Sequence, residues 1–352
     1  MDFVSDRIRI LKPYTAGEQI ESIIKLNTNE NPYPPTPKIK KKLESLDIAK
    51  LKLYPDQNSN IVKDAIAKRF NVSSDMVFMG NGSDEILAFV RPAFFDGEGE
   101  KLAYADITYS FYPVYDQLYR VQTVIVPVKE DFSVDLTEYD NLPVKGYLFA
   151  NPNAPTSIAI PKDEMEDFIR RHPDRLVIID EAYIDFCDES VIGLTKKYDN
   201  LLVIRTLSKG YSLAGIRCGF AVGCKALIDG LKKIKDSFNN YPVDYIAEIV
   251  AAEAVKDAHY YQMINAKVVN TRKRTVIEMK ELGFSVLPSS SNFIFVTHGK
   301  FKAEELYQKL KAEKILIRHF NKERIDNYLR ITIGTDKEMD YFLERLSKII
   351  NA

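Results

Sequence analysis

The sequence predicts an α/β fold, in which a large domain with a mostly parallel sheet is joined to a smaller α+β domain. Three observations predict it. The chain has 352 residues, of which 45% are hydrophobic, so it is longer than one ordinary domain and has enough apolar residues for a sizeable core. From about residue 60 to 235, short apolar runs alternate with stretches of helical periodicity, as in crossover units on a parallel sheet. After residue 282 the order of elements changes, which indicates a second unit.

The strands of the large domain are predicted from short β-rich apolar runs. They cover residues 76–79, 101–105, 121–127, 147–150, 176–179 and 201–204. Residues 244–282 are rich in Ala, Glu and Lys and stop at Gly283, which predicts a helical segment long enough to be a candidate for a kink or break. The smaller unit is predicted to have strands in FSVLPSSSNFIFV, ILIRHF and YLRITIGT, and helices near 303–313 and from about 336.

These elements divide the chain into four predicted parts. Residues 1–30 form an N-terminal arm that belongs to the small domain, and residues 31–243 form the large domain. Residues 244–282 are the interdomain helical segment, and residues 283–352 are the C-terminal small domain. The prolines of NPYPPTP favour an extended conformation where the arm meets the large domain.

Composition argues against several kinds of partner. The chain has 49 Lys and Arg against 50 Asp and Glu, a formal net charge of -1, so no overall field attracts nucleic acid or an anionic membrane. No apolar run approaches the roughly 18 residues of a membrane span, and the charged N-terminus lacks the apolar core of a signal peptide. The cysteines Cys187, Cys218 and Cys224 have no metal-ligand spacing, so we expect no metal site and a reducing cytoplasm.

Polar side chains follow three of the predicted parallel strands, at the ends where open sheets bind ligands. LVIID ends at Asp180, LLVIR leads to Lys209, and YLFA leads into NPNAPTS. A lysine just past a buried strand can form an imine with an aldehyde, because desolvation lowers its pKa. A carboxylate at the end of a buried strand can keep a pyridinium nitrogen protonated. Lys209 and Asp180 therefore predict pyridoxal 5'-phosphate (PLP) as the cofactor, carried on Lys209 as a Schiff base.

Other residues near these strands match the phosphate and the ring of PLP. Arg217 can bind a phosphate bidentately, and the helix that opens at GNGSDE (residues 80–85) presents backbone N–H groups to an anion. An aromatic side chain can stack on the ring, and a hydroxyl can hydrogen-bond its phenolic oxygen. The residues predicted for these contacts are Ser83, Asp84, Tyr109, Tyr183, Thr206, Ser208 and Arg217.

Each of these residues has an ordinary explanation when it is taken alone. Asp180 is then a helix cap or a surface turn, and Lys209 a loop lysine. Such explanations do not account for the joint order of the motifs, each of which follows its own buried strand. The order is a phosphate loop, a stacking tyrosine, an Asn-Pro loop, Asp-x-x-Tyr, and then Ser/Thr-x-x-Lys and Arg. The set as a whole favours the PLP interpretation.

TLSKGYSLAGIRCGF, DEAYIDF, NPNAPTS, GNGSDEI and TYSFY resemble the fold type I PLP aminotransferases, which have the aspartate aminotransferase fold. Within that group, LKPY (11–14), KLNTNENP (25–32) and LYPD (53–56) are similar to motifs of the histidinol-phosphate aminotransferase family. The resemblance covers nearly the whole chain and ends with LRITIGT at 329–335.

The resemblance implies roles for further residues. Tyr54 would reach across a dimer interface to the PLP phosphate of the other subunit, so that the active unit is a homodimer. Arg330 and Arg318 would bind the anionic group of the substrate, with Tyr14 and Asn29 lining the pocket.

The chain departs from the family's usual NPNNPTG at one place that concerns the cofactor. The second of the adjacent asparagines commonly bonds the phenolic oxygen, and here that position is Ala154. Ser157 replaces the glycine of the same loop. Asn153 is therefore a candidate to compensate, and otherwise Tyr183 acts alone.

The activity implied by the resemblance is a transamination. It would convert L-histidinol phosphate and 2-oxoglutarate into imidazole acetol phosphate and glutamate, a reversible step of histidine biosynthesis. Three alternatives stay open at this point: a PLP-dependent decarboxylase of a phosphorylated amino acid such as threonine phosphate, an aminotransferase for aromatic amino acids, and a PLP-fold module without catalysis. The last is disfavoured by the joint presence of Lys209, Asp180 and Arg217.

Overall fold

The structure is a computed structural model that describes residues 3–15, 17–20, 23–95, 97, 99–187 and 189–351, without the side chain of Arg7. Its strands are β1 Ile24–Lys25, β2 Val77–Gly80, β3 Leu102–Ala105, β4 Thr123–Val126, β5 Gly146–Ala150, β6 Leu176–Asp180, β7 Leu201–Thr206, β8 Gly219–Gly223, β9 Phe284–Val286, β10 Phe293–His298, β11 Ile315–Leu316, β12 Arg318–His319 and β13 Leu329–Thr332. Its α-helices are α1 Asp6–Ile10, α2 Pro37–Glu44, α3 Asn60–Phe70, α4 Gly82–Phe94, α5 Tyr112–Tyr119, α6 Lys162–Arg171, α7 Lys225–Phe238, α8 Tyr245–Lys256, α9 Ala258–Glu281, α10 Ala303–Ala312 and α11 Asp336–Asn351.

The large sheet has seven strands in the order β2-β8-β7-β6-β5-β3-β4. The strands from β7 to β4 pair in parallel, whereas β8 runs antiparallel to both β7 and β2. Core clusters of buried side chains cover both faces of this sheet, which is why its central strands are apolar throughout rather than alternating. The predicted α/β class with a mostly parallel sheet is confirmed.

Strand β8 was not among the predicted strands. Its sequence, GFAVG, is short and has a glycine at each end, which is a weak strand signal. Gly219 is required for packing, because a Cβ placed there would lie 2.4 Å from the backbone N of Ser83. The same glycine that weakens the strand signal therefore lets β8 approach the start of α4.

The smaller domain has a four-stranded sheet in the order β12-β13-β10-β9, with its own buried core. A separate parallel pair joins β1, near the N-terminus, to β11. The predicted helical segment 244–282 is two helices, α8 and α9, that meet at Asp257. The carboxylate of Asp257 accepts hydrogen bonds from Thr36 Oγ1 at 2.5 Å and Lys38 Nζ at 2.8 Å. The predicted limits of the domains stay predictions.

Within the described ranges, none of the helices combines the length and apolar character that a membrane crossing needs.

Candidate active site

A cavity of about 230 Å³ opens at the carboxyl ends of β5, β6 and β7 and is closed on the other side by residues of the N-terminal segment and of β12 and β13. Parallel strands bring their carboxyl ends to one edge of the sheet, which is why residues distant in sequence meet there. The predicted site residues that line the cavity are Tyr14, Asn29, Ser83, Asp84, Tyr109, Asp180, Tyr183, Thr206, Ser208, Lys209, Arg217, Arg318 and Arg330.

Lys209 lies just beyond β7 and points into this cavity. Its Nζ donates a hydrogen bond to the backbone O of Thr28 at 2.9 Å. Burial, aided by the nearby cation of Arg330, lowers the pKa of Lys209 to about 8. An amine with this pKa is partly unprotonated near neutral pH, as a nucleophile or general base has to be.

Asp180 ends β6 and is only 4% exposed. Its Oδ2 accepts from the hydroxyl of Tyr112 at 2.8 Å, and its Oδ1 accepts from the backbone N of Ala182 at 3.1 Å. No cation pairs with Asp180 among the residues that the structure describes, and burial raises its pKa to about 6. A buried carboxylate without a cation is suited to a ligand that brings a positive charge.

Tyr112 was not assigned a role from the sequence. It is the last residue of TYSFY, in which only Tyr109 was singled out. It begins helix α5, is completely buried, and its ring lies 5.6 Å from the guanidinium of Arg91. A tyrosine in a core helix gives no sequence signal of a polar contact with a strand end 68 residues away.

One end of the cavity is rich in groups that bind an anion. Ser83 and Asp84 lie in the first turn of α4, and Arg217 Nη1 lies 3.5 Å from Ser208 Oγ. Gly82 has φ 76°, and a Cβ there would come within 2.7 Å of Arg217 Nη2. The carboxylate of Asp84 is itself engaged, since it pairs with Arg217 at 3.2 Å and accepts from the hydroxyl of Tyr109 at 3.0 Å.

The opposite end carries two guanidinium groups from the small sheet. Arg330 donates through Nη2 to the backbone O of Asn27 at 2.8 Å, and its Nε is buried without a hydrogen-bond partner in the described part of the chain. Burial lowers the pKa of Arg330. Arg318 donates to the backbone O of Thr15 at 3.3 Å. The ring of Tyr14 lies nearby, 6.4 Å from that of Tyr109.

Two predicted site residues do not line the cavity. The amide of Asn153 is bonded within its own surroundings, to Ile107 O at 2.9 Å, Thr156 Oγ1 at 3.0 Å and Thr108 Oγ1 at 2.8 Å. This placement gives no support for a cofactor contact by Asn153. Tyr54 is 82% exposed and its ring stacks on that of Tyr241 at 4.7 Å, so its role across a dimer interface stays a prediction.

The residues present fit PLP at three separate points. Asp180 is a buried carboxylate that lacks a cation, as a pyridinium requires. Lys209 has the lowered pKa that reaction with an aldehyde requires. The glycines Gly82 and Gly219 keep the loop beside Arg217 free of side chains, so that backbone N–H groups can approach a phosphate.

Comparison with known proteins agrees with this fit. The family model described as aminotransferase class I and II matches residues 21–346. The chain belongs to the class I and II aminotransferases. The resemblance seen in the motifs is thereby confirmed at the level of the family.

Among relatives of this aminotransferase are two histidinol-phosphate aminotransferases. That of Brachyspira hyodysenteriae is 52% identical over 351 residues, covering 99% of both chains. That of Clostridium botulinum (strain Okra / Type B1) is 47% identical over 343 residues, covering 97% of this chain and 96% of the relative. The narrower resemblance in the N-terminal third thus agrees with the names of these relatives.

Solved structures confirm the fold of this aminotransferase. Histidinol-phosphate aminotransferase from Sinorhizobium meliloti, solved in complex with pyridoxal-5'-phosphate, superposes with a TM-score of 0.89 at 23% identity, covering 100% of this chain and 98% of the other. A mutant aspartate aminotransferase of Thermus thermophilus gives a TM-score of 0.83 at 16% identity, covering 99% and 100%. The predicted aspartate aminotransferase-like fold is therefore correct.

Proposed function

We propose that this chain is a PLP-dependent transaminase that interconverts L-histidinol phosphate and 2-oxoglutarate with imidazole acetol phosphate and glutamate, a step of histidine biosynthesis. The observation that carries the proposal is the convergence of Lys209, Asp180 and Arg217 on one cavity in a chain 52% identical to a histidinol-phosphate aminotransferase. The lysine supports the cofactor chemistry, and the names of the relatives support the choice of substrate.

PLP supplies an aldehyde carbon and a ring that withdraws electrons from the α-carbon of the substrate. With PLP bound, Lys209 would hold the cofactor as the nucleophile that reacts with its aldehyde. Once released, the Nζ of Lys209 would serve as general base and then general acid for the proton of the substrate α-carbon. The carbonyl of Thr28, 2.9 Å from Nζ, orients the amine for both tasks.

The other side chains hold the reactants in place. Asp180 would keep the ring nitrogen of PLP protonated, and Tyr112 orients the carboxylate of Asp180. Tyr109 would stack on the ring, and Tyr183 would donate to its phenolic oxygen. The phosphate is held by the N–H groups at the start of α4, by two hydroxyls and by one cation. These groups belong to Ser83, Asp84, Thr206, Ser208 and Arg217.

Arg330 and Arg318 bind the anionic end of each substrate, which is a carboxylate in glutamate and a phosphate in histidinol phosphate. Among the described residues, the Nε of Arg330 has no hydrogen-bond partner. This supports the role, because its N–H is left to donate to an anion. Tyr14 and Asn29 close this side of the pocket.

We also propose a homodimer located in the cytoplasm. An exposed apolar surface in one short segment, with Ile48 64%, Leu53 61% and Tyr54 82% exposed, supports an interface that would place Tyr54 at the phosphate of the partner subunit. The free thiols Cys187, Cys218 and Cys224 suit a reducing compartment.

A substrate screen read by absorbance tests the proposal. The purified protein is expected to absorb near the edge of the visible range and to lose that band when histidinol phosphate or glutamate is added, whereas Lys209→Ala shows neither effect. Unchanged spectra with both substrates would contradict the proposal. Release of carbon dioxide from threonine phosphate without a keto acid would indicate the decarboxylase instead, and faster turnover of phenylpyruvate than of imidazole acetol phosphate would indicate an aromatic aminotransferase.

A further inference from the structure

The hydroxyl of Tyr183 is held by a chain of hydrogen bonds that leads to the small sheet. Tyr183 Oη lies 2.9 Å from Asn29 Nδ2. Asn29 Oδ1 lies 2.9 Å from Thr332 Oγ1, and the backbone N of Asn29 lies 3.0 Å from the same oxygen. Asn29 is 1% exposed, and its backbone O accepts from Asn292 Nδ2 at 2.9 Å. The position of the Asn29 amide is therefore determined by its neighbours.

Elementary chemistry determines which atom is the donor and which the acceptor in each of these hydrogen bonds. A backbone N–H only donates, so Thr332 Oγ1 accepts from Asn29 N and has its own proton left for the Asn29 side chain. That proton needs an acceptor, which makes the facing atom Oδ1 and turns Nδ2 toward Tyr183. Tyr183 Oη is thus an acceptor of the Asn29 bond and keeps its own proton.

The hydroxyl proton of Tyr183 can point only toward the cavity. Tyr183 lines the cavity, and the structure shows no acceptor for its hydroxyl proton among the described residues. The proton therefore points into the cavity. Burial raises the pKa of Tyr183, so the hydroxyl keeps this proton at neutral pH and remains a donor.

The loop beside Tyr183 offers no donor of its own. Pro152 and Ala154 are the residues of NPNAPTS that line the cavity, and neither has a polar side chain. Ala154 packs directly against Tyr183 and Phe293. It also lines an adjoining chamber of about 50 Å³, so a larger side chain at this position has space.

We propose that Asn29 is a positioning residue that aims the hydroxyl proton of Tyr183 at the phenolic oxygen of the cofactor. The hydrogen bonds from Thr332 through Asn29 to Tyr183, here called the relay, replace a side-chain donor at position 154. The proposal rests on the proposed function, because it takes PLP as the ligand. A hydrogen bond donated to an ionised phenolic oxygen favours the ionised form. The relay therefore lowers the pH at which the bound cofactor titrates.

The test is a pH titration of the visible absorbance band of the holoenzyme, with the Kd of PLP measured by equilibrium dialysis of the apoprotein. Tyr183→Phe is expected to raise the midpoint by about one to two pH units, the worth of a hydrogen bond to a charged group. Asn29→Gly is expected to raise it by less, because the hydroxyl remains but is free to turn. Glycine is the matched choice, since Asn29 has φ 59° and glycine adopts that conformation without strain.

The double variants separate positioning from a structural role. Asn29→Gly should cause no further shift in the Tyr183→Phe background, because Asn29 acts only through the hydroxyl. In the Tyr183→Phe background, Ala154→Asn should reverse at least half of the shift in the titration midpoint, because it supplies a new donor beside the phenolic oxygen of the cofactor. The Kd of PLP should follow the same order, rising about tenfold for Tyr183→Phe.

Two results would overturn the inference: an Asn29→Gly shift of the same size in both backgrounds, or a Tyr183→Phe midpoint that Ala154→Asn leaves unmoved. If Asn29→Gly does not fold, Thr332→Val takes its place in both backgrounds, because it removes the hydroxyl that fixes the orientation of the Asn29 amide. Failure of the proposed function looks different, because the wild-type band would then stay unchanged when histidinol phosphate or glutamate is added, whatever the midpoint of its pH titration.

Discussion

The buried carboxylate of Asp180 should make the apoprotein less stable and the holoenzyme more stable. It is 4% exposed and has no cation beside it in the described structure, only donors from Tyr112 and the N–H of Ala182. Asp180→Asn removes the charge with little change of shape. The amide Oδ1 still accepts from Ala182, and the hydroxyl of Tyr112 can turn to accept from Nδ2.

The magnitude follows from the pKa of Asp180, which burial raises from 3.8 to about 6. Each unit corresponds to about 1.4 kcal/mol, so the ionised carboxylate lowers the free energy of unfolding by about 3 kcal/mol. In the unfolded chain the carboxyl group of Asp180 loses its proton near the ordinary pKa of 3.8, whereas in the native protein it keeps the proton until about pH 6. Stability is therefore lost as the pH rises between these two values and stays reduced above them.

Thermal and urea unfolding of the two apoproteins measure this difference. At about pH 7.5 the apo form of Asp180→Asn should unfold about 4 °C higher than wild type, from the unfolding entropy of a chain of this length. The gap should close as the pH falls toward about 4. With PLP bound the order should reverse, and the Kd of PLP should rise about a hundredfold or more, because the pyridinium loses its buried partner. An apo variant no more stable than wild type at the higher pH would refute the reasoning.

Three further expectations concern neighbouring residues. Lys209→Ala should lower kcat by at least about a thousandfold at saturating substrate. In the wild-type apoprotein, the rate of PLP binding followed by stopped-flow absorbance should rise with pH through about 8, where the amine of Lys209 loses its proton. A rate that does not change with pH would argue against this amine as the nucleophile. Tyr112→Phe removes a donor to the Asp180 carboxylate, so the Kd of PLP should rise about tenfold with kcat less affected, and an unchanged Kd would contradict the contact. Tyr241→Ala removes the ring on which Tyr54 stacks and should weaken PLP binding in the same direction as Tyr54→Phe, whereas normal binding by both variants would remove Tyr54 from the site.

The sequence predicted well the strands that carry the site, because strands of this kind depend on local sequence patterns. Strand β6 was predicted at 176–179 and is Leu176–Asp180, and β3 was predicted at 101–105 and is Leu102–Ala105. Buried parallel strands are continuous apolar runs, and their carboxyl ends meet at one edge, so Asp180 and Lys209 were expected to converge.

What the sequence left undetermined lies in contacts between distant segments. The pair Asn29 and Thr332 is 303 residues apart, and no spacing rule connects them. Asn153 and Ala154 are adjacent, yet only Ala154 faces the cavity, because the amide of Asn153 bonds the backbone O of Ile107. Such a choice depends on backbone direction, which composition and periodicity do not specify.

Three consecutive residues bond side chains that come from different parts of the cavity. Asn27 O accepts from Arg330, Thr28 O accepts from Lys209, and Asn29 bonds Tyr183. The same segment continues from strand β1, which pairs with β11 of the small domain. Arg330, Lys209 and Tyr183 therefore all contact one short segment, residues 27–29. A displacement of that segment would change the surroundings of the three side chains together.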